Sequence, residues 1–75
     1  MNEYGKVMRS ERVRAGLSQS EVAERVGVDQ RTVSNYERGI TSVPADVLLK
    51  LSDIYGCTTD WLLGITDTRT REVVR

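Results

Sequence analysis

The sequence predicts an all-α fold: five short helices in one small domain, with the second and third joined by a very short turn. Three features carry this expectation. Apolar residues recur at three- and four-residue spacing. Helix starts are marked by cap residues flanked by hydrophobic staples, and Gly16, Gly27 and Gly56 stand where periodic stretches stop. A chain of 75 residues builds a single core worth only about 3–5 kcal/mol of net stability. Dimerisation would add to that.

Glu3 to Ala15 reads as the first helix, with Tyr4, Met8 and Ala15 on one stripe, Val7 and Val13 beside it, and Gly16 as its left-handed stop. Arg12 falls on the same stripe one turn after Met8, so its guanidinium needs a partner. Lys6, Arg9 and Arg14 read as a solvated face; the other reading is that one of them, near the helix start, touches phosphate. Ser18 and Glu21 form a capping box for the second helix, and Leu17 with Val22 forms its staple. Val22, Ala23 and Val26 face inward, Glu21 and Arg25 make an i,i+4 pair outside, and Gly27 ends the helix.

Val28, Asp29 and Val33 repeat the design, with Asp29 as N-cap of the third helix, in the stretch Asp29 to Gly39. This helix has two unlike faces. At about 100° per residue, Thr32, Val33, Tyr36 and Glu37 fall in one arc and Gln30, Arg31, Ser34, Asn35 and Arg38 in the opposite one. The second arc has no apolar side chain, and its amides, hydroxyl and guanidinium groups are those that hydrogen-bond base edges in a DNA major groove.

The fourth helix, Pro44 to Tyr55, is expected to bury Leu48, Leu51 and Tyr55 and to stop at Gly56, with Asp46 complementing its positive end. Cys57 and Leu62 make a third staple around a cap at Thr58. Thr59 to Leu63 forms the fifth helix, where Trp61 either closes the core or shares its surface with a second subunit. Residues 1–64 are thus the expected domain. Residues 65–75, polar and threonine-rich, are read as a tail that is frayed, supports a dimer or begins a linker.

Composition narrows the function classes. With 39% hydrophobic and 29% charged residues, the chain is an ordinary globular one rather than a disordered or fibrous one. Its apolar runs are too short for a membrane span, and no signal peptide is expected. One cysteine and no histidine leave neither an internal disulfide nor a plausible zinc site. Cys57 has no basic neighbour to make it a nucleophile, and there is no glycine-rich phosphate loop or apolar-flanked acid pair. No catalytic residue, cofactor, metal or small-molecule ligand is expected, and the chain reads as a non-enzyme.

Net charge is zero, which is unusual for a nucleic-acid binder. Residues 1–39 carry seven basic side chains (Lys6, Arg9, Arg12, Arg14, Arg25, Arg31, Arg38) against six acidic ones (Glu3, Glu11, Glu21, Glu24, Asp29, Glu37). Phosphates would then be held largely by neutral donors and helix N-termini.

The run GLSQSEVAERVGVDQRTVSNYERG, residues 16–39, resembles the helix-turn-helix of the lambda repressor and Cro-like family, often called XRE, and the pattern extends to about Gly64. The resemblance implies a five-helix lambda repressor-like domain whose second and third helices form that motif. It implies that Gln30, Arg31 and Asn35 touch bases and that Ser34 occupies a position that sometimes does. Gln19 matches a glutamine that holds a backbone phosphate and braces the first recognition residue. Arg38 matches a phosphate contact, as does Thr41 in the loop from Ile40 to Val43, which in the resemblance lies beside DNA and donates backbone amides; a plain surface connector is the other reading of that loop. Arg12 and Glu37 match a pair that forms a buried salt bridge in some members. Glu11, where many relatives have leucine, and Val43-Pro44, where many have a serine or threonine cap, depart from the pattern without being expected to disturb the fold.

The sequence thus reads as a cytoplasmic, double-stranded-DNA-binding transcriptional regulator of a prokaryote or phage, a repressor bound as a homodimer to a two-fold operator. The alternative is a protein-interaction module, such as an antitoxin or adaptor, on the same scaffold. Neutral charge favours the alternative, and the lack of an apolar anchor on the outward arc opposes it.

Overall fold

Three of the five helix starts are set locally, by side chains that accept free amides of the first turn. In the computed structural model, which describes residues 4–69, the Ser18 hydroxyl accepts from the Glu21 amide while the Glu21 carboxylate accepts from the Ser18 amide, opening α2 (Gln19–Val26). Asp29 accepts from the amide and hydroxyl of Thr32 to open α3 (Gln30–Glu37). Thr58 accepts from the Trp61 amide to open α5 (Thr59–Leu62). The remaining helices are α1 (Gly5–Arg14) and α4 (Ala45–Tyr55). The described residues thus form five helices and no strand.

The turn between α2 and α3 depends on Gly27. At φ 80° and ψ 31° it sits in the left-handed region, where a side chain would be strained. From there the amides of Gly27 and Val28 both donate to the Ala23 carbonyl, and three residues later α3 has begun. Ala23, Val22, Val26, Val33 and Tyr36 are buried where the two helices meet. Met8, Val47, Leu48, Leu51, Tyr55, Cys57 and Leu62 complete the core beneath them. α1 packs against α3 and α5, and α4 against α5 and α2.

Several expected boundaries shift. The first helix starts at Gly5 with Tyr4 as its cap, and Glu3 lies outside the described residues. Its inward stripe is Gly5, Met8 and Glu11, whereas Ala15 is exposed and Val13 is 61% exposed. Ala15 lies past the last helical turn, so the stripe does not extend to it. Pro44, expected inside the fourth helix, is its cap, with an extended ψ of 153°. Val47 joins the buried face of α4. α5 ends at Leu62 rather than Leu63. Glu21 turns back onto the Ser18 amide, and no ion pair joins it to Arg25 among the described residues.

Glu11 is the largest difference. It is only 4% exposed, and it is satisfied from three directions. Arg69 donates through Nε to Oε2 at 2.9 Å and through Nη2 to Oε1 at 2.7 Å, and the Trp61 indole N–H donates to Oε2 at 2.9 Å. Arg69 also donates to the carbonyls of Tyr55 and Gly56, and its own carbonyl accepts from the Thr58 amide. Residues 65–69, expected within the tail, are therefore folded back over the α4–α5 turn, and Trp61 is half-buried, packed against the core with its indole N–H on Glu11. The rest of the expected tail, residues 70–75, lies outside the described residues.

Two tests follow from this packing. A Cβ on Gly5 would stand 2.7 Å from the Tyr36 carbonyl oxygen and closer still to that of Glu37. Gly5→Ala should therefore destabilise the domain by about 1–3 kcal/mol in urea unfolding, although alanine is the better helix former. The Arg69 hydrogen bonds hold the Glu11 carboxyl below its ordinary value, against the opposing effect of burial. Its contribution to stability is present above the ordinary glutamate range and is lost as pH falls through the lowered value. The stability gap between wild type and Glu11→Gln should narrow as pH drops below about 4; an unchanged gap down to about pH 2 would contradict this linkage.

Candidate nucleic-acid interface

α3 displays the two faces expected of it. Val33, Tyr36 and Glu37 are buried and Thr32 is half-buried, while Gln30, Arg31 and Arg38 are exposed and Ser34 and Asn35 are half-buried. Among the described residues no side-chain hydrogen bond or ion pair occupies Arg31, Ser34, Asn35 or Arg38. Their donors and acceptors are left for an external partner, fully exposed at Arg31 and Arg38 and partly so at Ser34 and Asn35. Asp29 at the start of the helix is held below its ordinary pKa by its hydrogen bonds to Thr32. It therefore stays anionic and complements the helix dipole at neutral pH.

Behind this face runs a continuous set of hydrogen bonds. Arg12 donates through Nε to Glu37 Oε2 at 2.7 Å and through Nη2 to Oε1 at 3.1 Å, and its Nη1 donates to the Leu17 carbonyl at 2.9 Å. The Arg12 side chain is 13% exposed and that of Glu37 4%, so the pair is largely withdrawn from water. The pairing raises the Arg12 pKa further, mainly through the Glu37 hydrogen bonds. Glu37 Oε1 also accepts from Gln19 Nε2 at 3.1 Å, and Gln19 Oε1 accepts from Gln30 Nε2 at 2.6 Å. Four of the residues singled out in the sequence are thus linked, from α1 through α3 and the start of α2 to the first residue of α3.

The loop after α3 is tied down separately. The Tyr4 hydroxyl oxygen accepts from the Val43 amide at 3.3 Å. Thr41 is exposed, and among the described residues neither its amide nor that of Ser42 has a backbone partner. Sequence reasoning did not find the Tyr4 contact or the Gln19–Glu37 bond. The first joins residues 39 apart in the chain and has no local signal. The second was hinted at by the spare acceptor capacity of a glutamate paired with one arginine. No cluster of potential metal ligands and no helix long and apolar enough to cross a membrane occurs among the described residues.

A family model described as helix-turn-helix matches residues 8–62. The chain is 43% identical over 60 residues to the HTH-type transcriptional regulator ImmR of Bacillus subtilis (strain 168), a match covering 80% of this chain and 47% of that protein. It therefore spans about half the length of that relative. Among solved structures, the P22 c2 repressor in complex with synthetic operator 9T superposes with a TM-score of 0.80 at 29% identity, covering 88% of this chain and all of that one. The restriction-modification controller protein C.AhdI from Aeromonas hydrophila gives a TM-score of 0.72 at 32% identity, over 79% of this chain and 86% of that one.

Removing one half of the Arg12–Glu37 pair strands a buried charge, whereas replacing both halves does not. Arg12→Met should cost about 3 kcal/mol in chemical denaturation, and the double variant Arg12→Met with Glu37→Gln distinctly less. A double variant less stable than the single one would contradict this account of the pair.

Proposed function

We propose, from the premise that this chain belongs to the helix-turn-helix family in its lambda repressor and Cro-like form, that it is a sequence-specific, double-stranded-DNA-binding transcriptional regulator acting as a repressor. The observation that carries this reading is the outer arc of α3. There, among the described residues, no side-chain hydrogen bond or ion pair occupies Arg31, Ser34, Asn35 or Arg38, and Gln30 is held by Gln19 with donor and acceptor capacity to spare, on a helix anchored from behind by a buried ion pair. The solved P22 c2 repressor, with which the chain superposes, is a complex with operator DNA, and this supports the same reading.

In this proposal Gln30 and Asn35 read adenine, Arg31 reads guanine and Ser34 contributes a further base contact. Each bidentate contact is worth about 1–3 kcal/mol of discrimination. Gln19, Arg38 and Thr41 hold phosphates, the last together with the free loop amides. Arg12 and Glu37 are structural. Zero net charge leaves little non-specific attraction, so affinity rests on directional contacts. Binding as a homodimer to a two-fold operator, with half-sites about one helical turn apart, doubles those contacts. The site of action is the cytoplasm of a prokaryotic or phage-infected cell. A protein-interaction role on the same scaffold is the second reading, favoured by neutrality alone.

Selection of duplexes from random DNA at moderate salt tests the proposal. Wild type should enrich a two-fold site, and Gln30→Ala with Asn35→Ala should lose it while staying folded. Failure of the folded wild type to enrich any site would exclude base reading and favour a protein partner. On the selected site, Arg38→Ala should reduce the slope of log affinity against log salt by about one per protomer and weaken all sequences alike. An unchanged slope would remove Arg38 from the phosphate contacts.

A further inference from the structure

We propose that Glu37 is a positioning residue for base reading, because its carboxylate sets, through Gln19, the order in which the Gln30 amide offers its donor and acceptor to DNA. This rests on the reading of Gln30 as a base contact and goes beyond it. A primary amide has two ends of nearly equal size, and shape alone does not decide which way it points. A carboxylate decides, because both of its oxygens only accept. Arg12 fixes that carboxylate by occupying Oε2 and Oε1 while its third nitrogen is held by the Leu17 carbonyl.

The consequence propagates outward one amide at a time. Gln19 must turn its NH2 to Glu37 Oε1, so its own Oε1 faces Gln30. Gln30 must then turn its NH2 to Gln19, leaving its Oε1 and one remaining N–H for an external partner in a single spatial order. Adenine presents a donor at N6 beside an acceptor at N7, so only one order of the Gln30 groups matches it in a given docking register. The second Nε2 hydrogen of Gln19 remains for a phosphate. A glutamine at position 37 would dissolve the rule. Its amide could present either end to Gln19, and both orders of Gln30 would become available.

The test is the same random-duplex selection, scored base by base for wild type, Gln30→Ala, Glu37→Gln, and Arg12→Met with Glu37→Gln. The double variant leaves no stranded charge and keeps the test available if the single one unfolds. The pair read by Gln30 is the one at which Gln30→Ala loses preference. There both Glu37 variants should lose preference by about five-fold or more, with the pairs read by Arg31 and Asn35 unaffected. A folded Glu37 variant that keeps the preference at that pair, or loses it evenly at all pairs, overturns the positioning role while leaving the base-reading function standing. A wild type that enriches no site overturns the function itself and the positioning role with it. Free of any variant, one side-chain amide proton each of Gln19 and Gln30 should exchange with solvent more slowly than in unstructured glutamine. Free-glutamine rates at both would also overturn the proposal.

Discussion

The contact on which the rest of this domain depends is the ion pair between Arg12 and Glu37. It joins the end of α1 to the end of α3 across 25 residues of chain, and both side chains are largely out of water. A buried pair of this kind is weak evidence of net stability, since desolvation offsets most of the attraction, but losing one partner is costly. Its value is geometric. The same crossing has Gly5 against the Tyr36 and Glu37 carbonyls, so α3 is held by close backbone contact at one point and by a two-pronged guanidinium at another. The position of its outward face relative to α1 is thereby set.

Adjacent residues of α1 hold two different parts of the chain. Arg12 reaches α3, and Glu11, one position earlier and about 100° around the helix, reaches Arg69 and Trp61. The first pair anchors the candidate reading face. The second fastens the segment after α5 to α1, while Arg69 also bonds the Tyr55 and Gly56 carbonyls at the α4–α5 turn. In a core of this size, two satisfied charge pairs specify which elements meet where apolar contacts alone would discriminate poorly.

What was legible in the sequence was whatever is decided within one or two helical turns. Ser18, Asp29 and Thr58 act as caps because the amides they accept from are three residues away, and the two faces of α3 follow from its period alone. The Arg12–Glu37 pair came through family resemblance, since nothing local relates residues 25 apart. Glu11 leaves the fold undisturbed, as expected, but the reason is not legible in the sequence, because its partner lies 58 residues away, near the end of the described residues, where a polar stretch reads as frayed. The buried stripe of α1 follows geometry rather than apolar type. Val13 and Ala15 are apolar but point away from the core or lie past the helix, whereas a glutamate supplied with donors takes the inward position.

The outer arc of α3, with the amide relay behind it and the loop beyond it, is the surface we propose meets DNA. The most direct measurement is a backbone and side-chain amide NMR titration of the protein with its selected duplex. The account predicts the largest shifts at Gln19, Gln30, Arg31, Ser34, Asn35, Arg38 and Thr41, with α4 and α5 little changed. Shifts concentrated on α4 and α5, with the outer arc of α3 silent, would contradict it.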